Sequence, residues 1–264
     1  GWDQPVYAHL PLILGPDGTK LSKRHGAQSV EEYKDMGYLP EAMRNYLLRR
    51  GWSHGDDEII PTDQAFEWFN LEPIGKSASR FDFGKLESLN AHYIKQTDDA
   101  RLIELITPFL QQRHNLEIQD DTLAQKRLTL GMTELKDRAK TLLQLTDEAS
   151  FYAKKIPYTF DEKASTLLSG DAKEVLDLLL THLEALPSFS SIDIQESCME
   201  VAAQVRDNKL GKVAMPLRAA LTGTTVSPSI FHAAEILGRE ETLARLRYAL
   251  EEFHKKSEQS AAVN

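Results

Sequence analysis

The sequence has one cysteine, Cys198, among 264 residues. A single cysteine excludes an internal disulfide framework and a cysteine-rich zinc site, and it suits a reducing cytoplasm. Long apolar runs are missing too, since stretches such as Leu178-Leu179-Leu180 fall far short of the about 20 residues of a membrane span. A signal-peptide leader is also absent. These absences predict a globular, cytoplasmic protein without a membrane partner, with Cys198 in its core.

Positive charge is in deficit, with 31 Lys and Arg against 40 Asp and Glu and a net charge of -9. This balance argues against a protein that coats nucleic acid indiscriminately. A specific RNA ligand stays open, because local clusters matter more than the total. Two such clusters occur, one over residues 206–218 and one of Lys136, Arg138 and Lys140 around Asp137. Clusters of this kind are commonly solvated helix faces.

Strand patterns are also scarce. Residues 6–14 form an apolar strand pattern, and beyond it apolar residues recur at helical spacing. We predict helices over residues 83–93 and from residue 97 onward, then near 122–144, 146–154, 170–186, 193–207, 210–222, 228–237 and 239–255. The small, polar residues 257–264 are expected to form a disordered tail. The sequence therefore predicts a mainly α protein.

A short basic loop, Gly18-Thr19-Lys20-Leu21-Ser22-Lys23-Arg24-His25-Gly26, follows the predicted strand. Three cations within five residues, bracketed by glycines, suit a loop that binds phosphate, since lysine is a compact charge on a flexible stem. The Walker spacing is absent, so this is no P-loop. A solvated surface turn is the alternative reading of the loop taken alone. A Ser-x-x-Glu pattern at residues 29–32 predicts a capping box that opens the next helix.

A second segment, Pro216-Leu217-Arg218-Ala219-Ala220-Leu221-Thr222-Gly223, is followed by Ser227-Pro228-Ser229-Ile230. The pattern predicts a helix that ends at Gly223, a short loop, and a helix capped by Ser227 with Pro228 at its first position. Unpaired N–H groups at such a helix start suit phosphates or base acceptors. Arg218 lies one turn before the loop.

The basic loop resembles the Lys-Met-Ser-Lys-Ser signature of class I aminoacyl-tRNA synthetases, in the Lys-Leu-Ser-Lys-Arg variant of glutamyl enzymes. The Leu-Arg-x-x-Leu-Thr-Gly pattern at residues 217–223 resembles the anticodon-binding region of bacterial glutamyl-tRNA synthetases. The segment Leu135–Leu142 resembles the same region. The basic loop, Gly51-Trp52-Ser53 and Phe81-Asp82 also occur in the family's expected order and spacing. The resemblance covers about residues 2–255.

The resemblance implies an architecture of three parts and a tail. Residues 1–28 would be the β and loop remnant of the Rossmann catalytic domain, and residues 29–96 a helical stem-contact module. Residues 97–256 would form an all-α anticodon-binding helical cage with an internal boundary near 187, before the tail at 257–264. The family's His-x-Gly-His-type signature and most of the parallel sheet are absent, so we expect a C-terminal portion that is inactive alone.

The resemblance also implies a reaction for the complete enzyme. ATP and glutamate form glutamyl-adenylate and pyrophosphate, and the glutamyl group then passes to the 3′-terminal ribose of tRNA(Glu). Lys23 would stabilise the phosphate charge with help from Lys20, Ser22 would order the loop, and Arg24 would join both lysines in binding ATP. Mg²⁺ follows from family chemistry alone. We assign no metal ligand in this chain and expect no structurally bound cofactor.

For the anticodon, the resemblance points to Arg138, Arg218 and the helix start at Ser227, Pro228 and Ile230. The anticodon is single-stranded, so its bases can rest on apolar and guanidinium surfaces and be read along their edges. The alternative for Arg138 is a salt bridge with Asp137 or a nearby glutamate. Whether tRNA(Gln) is also a partner stays open, and a monomer is the family's usual state.

Two other functions are consistent with parts of the sequence. A class I lysyl-tRNA synthetase has a comparable helical region, against which the Leu-Arg-Ala-Ala-Leu-Thr-Gly stretch argues. A non-enzymatic α-helical interaction scaffold with a fortuitous basic loop is the second alternative. Such a scaffold would show no salt-sensitive, anticodon-dependent RNA binding.

Overall fold

The structure is a computed structural model that describes residues 2–5, 7, 9–22 and 29–262, with side chains up to residue 253. The protein is mainly helical, as the sequence predicts. Two short strands are described, β1 (Ile13–Leu14) and β2 (Ser79–Arg80). The described α-helices are α1 (Val30–Asp35), α2 (Pro40–Gly51), α3 (Thr62–Trp68), α4 (Phe83–Gln96), α5 (Asp99–His114), α6 (Thr122–Lys136), α7 (Leu142–Ala149), α8 (Glu162–Leu167), α9 (Ala172–Ala185), α10 (Ser191–Val205), α11 (Gly211–Thr222), α12 (Ile230–Leu237) and α13 (Arg239–Ala262). A 3-10 turn covers Ser150–Tyr152.

The chain divides into two compact units. The first unit comprises Gly1–Ile106 and Lys136–Leu145, and the second comprises Thr107–Leu135 and Thr146–Asn264. This division differs from the predicted boundaries at 97 and 187, because residues 136–145 pack with the first unit. None of the helices within the described ranges is long and apolar enough to cross a membrane.

In the first unit, β1 and β2 form a two-stranded parallel pair. Ile13 lies opposite Ser79, and Leu14 lies opposite Arg80. The strand predicted over residues 6–14 therefore reduces to its last two residues among those described, and the sequence missed β2. A two-residue strand is too short to show the alternation on which strand prediction depends.

An aromatic core lies beside these strands, where Tyr33, Tyr46 and Phe81 are all buried. The rings of Tyr46 and Phe81 meet edge to face at 4.9 Å between centroids. The Tyr46 hydroxyl accepts a hydrogen bond from Asp82 N at 2.6 Å. Asp82 in turn caps α4 by accepting from Lys85 N at 3.1 Å. These contacts fix α2 against the start of α4.

The predicted helix over residues 122–144 is wrong, because α6 ends at Lys136 and α7 begins at Leu142. Distant groups hold the intervening turn. Buried Asn90 donates to the Lys140 carbonyl at 2.6 Å, and Leu142 N donates to the Gly37 carbonyl at 2.9 Å. Gly37 has φ +84°, and a Cβ there would lie 2.7 Å from Leu143 N. Only glycine allows this approach.

In the second unit, helices α8 to α13 pack on one another, and α13 carries a fully buried arginine, Arg245. The predicted helices near 170–186, 193–207, 210–222 and 239–255 correspond to α9, α10, α11 and α13. The predicted helix near 146–154 is α7 with the 3-10 turn, and α8 was missed.

The tail also differs from the prediction. Helix α13 continues to Ala262, so residues 257–262 are helical rather than disordered. The sequence from Arg239 onward contains no glycine or proline, and its Glu, Lys, Gln and Ala residues favour helix. Val263 and Asn264 lie outside the described residues.

Candidate nucleic-acid interface

The start of the basic loop is a tight hairpin. Gly15 N donates to the Thr19 carbonyl at 2.8 Å, and Leu21 N donates to the Ile13 carbonyl at 3.0 Å. Asp17 Oδ1 accepts from both the backbone N and the hydroxyl of Thr19, at 2.9 and 2.8 Å. The hairpin returns the chain beside β1 through an antiparallel bridge between Leu14 and Lys20.

The hairpin presents part of the predicted phosphate loop. Lys20 is exposed and Ser22 is half-buried. The remaining predicted ATP-binding residues, Lys23 and Arg24, lie outside the described residues. The Ser29 hydroxyl, expected to cap α1, makes no capping hydrogen bond although Ser29 holds the N-cap position. Lys20 therefore lies at the start of the predicted phosphate loop, and its backbone is held by the bridge to Leu14 of β1.

Arg218 joins α11 to the loop that follows it. Its Nε donates to Ser227 Oγ at 2.8 Å, and its Nη2 lies 3.5 Å from the Pro228 carbonyl. Gly223 ends α11 in the left-handed conformation with φ +76°. Half-buried Arg218 and buried Ser227 are thus brought together, and their hydrogen bond sets the path of residues 224–228.

The cap of α12 corrects the sequence prediction. Helix α12 begins at Ile230, and its N-cap is Ser229, whose hydroxyl faces His232 N at 3.5 Å. Ser227 is not the cap, because its hydroxyl bonds to Arg218 and to the Pro228 carbonyl instead. Pro228 therefore precedes the helix rather than opening it.

Burial corrects the role predicted for Pro228 and Ile230. Both are buried, and Ile230 is only 1% exposed, so neither offers a face on which a base can rest. The apolar side chain that this loop does expose is Val226, at 53%. A motif shows which residues belong to a loop, but the packing of α12 decides which of them face solvent.

Arg138 lies in the exposed turn between α6 and α7, in the first unit. The turn is held by buried Asn90 and by Gln144, whose Nε2 lies 3.5 Å from the Arg138 carbonyl. Asp137, the salt-bridge partner that the sequence suggested for Arg138, has its Oδ1 3.7 Å from Lys95 Nζ. Arg218 belongs to the second unit, so the two predicted anticodon arginines are each placed within their own unit.

Other members of the two basic clusters hold the fold. Lys136 donates to Asp99 Oδ1 at 2.5 Å and to the Thr97 carbonyl at 3.1 Å. Arg206 donates to the Asp171 carbonyl at 2.7 Å and pairs with Glu174 at 3.3 Å. These cations make internal contacts, so the clusters offer fewer charges to RNA than the sequence suggests.

The remaining chemistry-bearing residues are few. Cys198 is buried on α10, and burial raises the pKa of its thiol to about 12. Among the described residues, no three His, Cys, Asp or Glu side chains are arranged to hold a metal ion.

Sequence reasoning named no contact in residues 29–96, yet the adjacent Arg49-Arg50 pair at the end of α2 lines a cavity of the first unit.

The comparisons with known proteins identify two domain families along the chain. Residues 101–250 match the family model of the anticodon binding domain, and residues 1–88 match that of the class I tRNA synthetases (E and Q), catalytic domain. The class is therefore that of the class I aminoacyl-tRNA synthetases with a helical anticodon-binding domain.

The similar proteins narrow the class. Glutamate–tRNA ligase 2 of Paramagnetospirillum magneticum is 51% identical over 95% of this chain and 52% of its own length. Glutamate–tRNA ligase 2 of Rhodospirillum centenum is 53% identical over 93% of this chain and 52% of its own. The crystal structure of a glutamate tRNA ligase from Elizabethkingia meningosepticum matches with a TM-score of 0.75 at 29% identity, over 96% of this chain and 52% of that one. The chain belongs to the glutamate–tRNA ligase family and spans about half the length of the curated relatives it matches.

Proposed function

We propose that this chain is the tRNA-binding part of a glutamate–tRNA ligase and that it reads the anticodon of tRNA(Glu). The observation that carries the proposal is the junction of α11 and α12, inside the match to the anticodon-binding domain. There Arg218 holds Ser227, and Gly223 turns the chain, so the loop at residues 224–228 has a defined path. A defined loop can discriminate single-stranded bases by their edges.

Arg138 is the second anticodon contact in this proposal. The turn that carries Arg138 is exposed. Its backbone is held by hydrogen bonds to the Asn90 side chain and to the Gly37 carbonyl. A guanidinium has a planar fork of donors that suits the carbonyls of cytosine and uracil. In the loop at residues 224–228, the exposed apolar side chain on which a base could rest is Val226, whereas the sequence suggested Ile230.

The catalytic contribution concerns the basic loop. In the complete ligase, Lys20 and Lys23 would neutralise phosphate charge as ATP and glutamate form the adenylate, with Arg24 also on the nucleotide and Ser22 ordering the loop. The exposed position of Lys20 on a fixed hairpin fits this role. Mg²⁺ would act with ATP in the complete enzyme, and we assign none of the described residues to it. The partners are then tRNA(Glu), ATP and glutamate, in the cytoplasm, with the protein as a monomer.

Binding to tRNA tests the proposal directly. The full chain is titrated with tRNA(Glu), with an anticodon-swapped transcript and with tRNA(Gln), each over a salt series. We expect salt-sensitive binding to tRNA(Glu) that weakens at least about tenfold on the anticodon swap. Equal affinity for tRNA(Glu) and the swapped transcript would overturn the proposal, and the tRNA(Gln) titration defines the specificity.

Two substitutions assign the anticodon contact. Arg138→Gln removes an exposed guanidinium from the proposed surface, whereas Arg44→Gln removes an exposed guanidinium of α2 as a matched control. We expect Arg138→Gln to reduce the preference for the cognate anticodon and Arg44→Gln to leave it unchanged. If both variants keep the full preference, Arg138 does not read the anticodon.

A further inference from the structure

A cavity of about 610 Å³ opens in the first unit, lined by α2, by the segment before α3 and by α4. Three cations line it, Arg49 and Arg50 from α2 and Lys85 from α4. The carboxylate of Glu58 also lines it, so the lining carries two more positive than negative charges. Lys85 Nζ lies 3.9 Å from Glu58, which makes this pair a loose one with both side chains largely exposed. The cavity is therefore electropositive.

Two buried nitrogens of the lining residues have no hydrogen-bond partner in the part of the chain that the structure describes. One is Arg50 Nε, although the same guanidinium donates through Nη1 to the Arg80 carbonyl at 2.8 Å and lies 4.4 Å over the Tyr46 ring. The other is Nε2 of His92 on α4. Arg49 has no hydrogen bond or ion pair among the described residues. Buried polar groups in folded proteins are nearly always hydrogen-bonded, so such a pair needs an explanation.

The chemistry of these groups defines the missing partner. A guanidinium can only donate hydrogen bonds, so a partner of Arg49 and Arg50 must accept them. The excess of positive charge in the lining favours an anion as that partner. Phosphate oxygens meet both conditions, because arginine pairs with them through two parallel N–H groups. The ring of His92 can supply a further donor.

We propose that this cavity, with Arg49, Arg50, Lys85 and His92, is a phosphate-binding site that takes a phosphate group of the tRNA backbone, remote in sequence from the basic loop and from the anticodon segments. Its assignment to RNA rests on the proposed function, whereas its phosphate chemistry does not. A free phosphate or pyrophosphate ion shares this chemistry and is the other source to be distinguished.

The RNA source is tested with Arg49→Gln in the full chain, beside Arg44→Gln on the same helix. Arg44 does not line the cavity, so it controls for the loss of one positive charge from α2. We expect Arg49→Gln to weaken binding of tRNA(Glu) and of the anticodon-swapped transcript by a similar factor of about ten, because a phosphate contact carries no base information. The salt slope should fall by about one. Arg44→Gln should change neither quantity.

The phosphate chemistry is tested without RNA. Inorganic phosphate and pyrophosphate are titrated into protein labelled with ¹⁵N in histidine and arginine, and the His92 ring and Arg50 Nε signals are followed. We expect saturable shifts in the wild type and in Arg44→Gln, much reduced in Arg49→Gln, and no such shifts with acetate at matched ionic strength. Far-UV circular dichroism and thermal melting establish that the variants are folded.

The two tests separate the outcomes. If Arg49→Gln equals Arg44→Gln in both, or if acetate acts as phosphate does, the phosphate site is overturned. If phosphate shifts the signals but Arg49→Gln leaves tRNA affinity unchanged, the site takes free phosphate and the RNA source is overturned. If the wild type binds no tRNA while phosphate still shifts His92, the proposed function fails and the phosphate site stands.

Discussion

At the scale of single residues, Arg245 on α13 is buried and hydrogen-bonded through its whole guanidinium. It is 0% exposed, and its guanidinium donates to the carbonyls of Phe151, Leu221 and Lys154 at 2.6 to 2.9 Å. Its Nε also donates to Glu241 at 2.7 Å. The Arg245 side chain therefore donates hydrogen bonds to backbone carbonyls in or beside the 3-10 turn and in the last turn of α11.

We expect Arg245→Met to destabilise the protein by about 3–5 kcal/mol, because it leaves three carbonyls and Oε1 of Glu241 without their donor. Urea unfolding monitored by circular dichroism measures this change. Arg247→Met is the matched control, since Arg247 pairs with Glu184 at the surface and such pairs contribute about 0–1 kcal/mol. Equal midpoints for the two variants would contradict the role assigned to Arg245.

At the residue scale, the sequence indicated two residues that lie together but not the hydrogen bonds that they make. The resemblance selected Arg218 and Ser227, and the structure joins them at 2.8 Å. It could not show that Ser227 gives its hydroxyl to Arg218 and leaves the cap to Ser229. Both serines precede apolar helical residues, so local pattern does not distinguish them. Ile230 likewise satisfies the pattern of an apolar platform, but its burial depends on how α12 packs.

At the scale of elements, the end of α11 depends on one glycine. Gly223 has φ +76°, and a Cβ there would lie 2.9 Å from the Thr159 carbonyl. We expect Gly223→Ala to destabilise the second unit by at least about 1–2 kcal/mol, the cost of an L-residue in the left-handed region, with the clash in addition. It should also weaken the proposed anticodon preference, since the loop at residues 224–228 directly follows Gly223.

Gly211, the first residue of the same helix, provides the control. A Cβ at Gly211 meets no atom within 4 Å. We expect Gly211→Ala to be neutral or stabilising by up to about 1 kcal/mol, because alanine favours helix. Thermal melting of both variants makes the comparison. A Gly223→Ala protein as stable as Gly211→Ala would mean that another residue sets the end of α11.

Helix periodicity predicted most elements because an apolar face recurs wherever a helix packs on a core. It missed the break between α6 and α7, because the apolar spacing runs on through residues 122–144. The break is set by Asn90 and Gly37, about 50 and 100 residues away in sequence. The break matters for the proposed function, since Arg138 lies in the turn that this break creates. Contacts so distant in sequence leave no local pattern to read.

At the scale of the whole molecule, the single thiol is a probe of the second unit. Cys198 is 0% exposed on α10, and burial raises its pKa to about 12, so the folded protein holds it protonated at pH 8. Only a thiolate reacts readily with a disulfide reagent. Labelling of Cys198 should therefore wait for opening of the second unit and report its free energy of unfolding.

Binding of tRNA couples to this opening. A ligand that binds only the folded state, at a free concentration of about one hundred times its Kd, raises the free energy of unfolding by about 2.7 kcal/mol. If the second unit carries anticodon contacts, tRNA(Glu) at that concentration should slow Cys198 labelling about a hundredfold. The anticodon-swapped transcript at the same concentration should slow it less, because more of the protein stays free. A labelling rate that saturating tRNA(Glu) leaves unchanged would show that Cys198 opens without loss of the RNA-binding state. The thiol would then report local motion of α10 rather than unfolding of the unit.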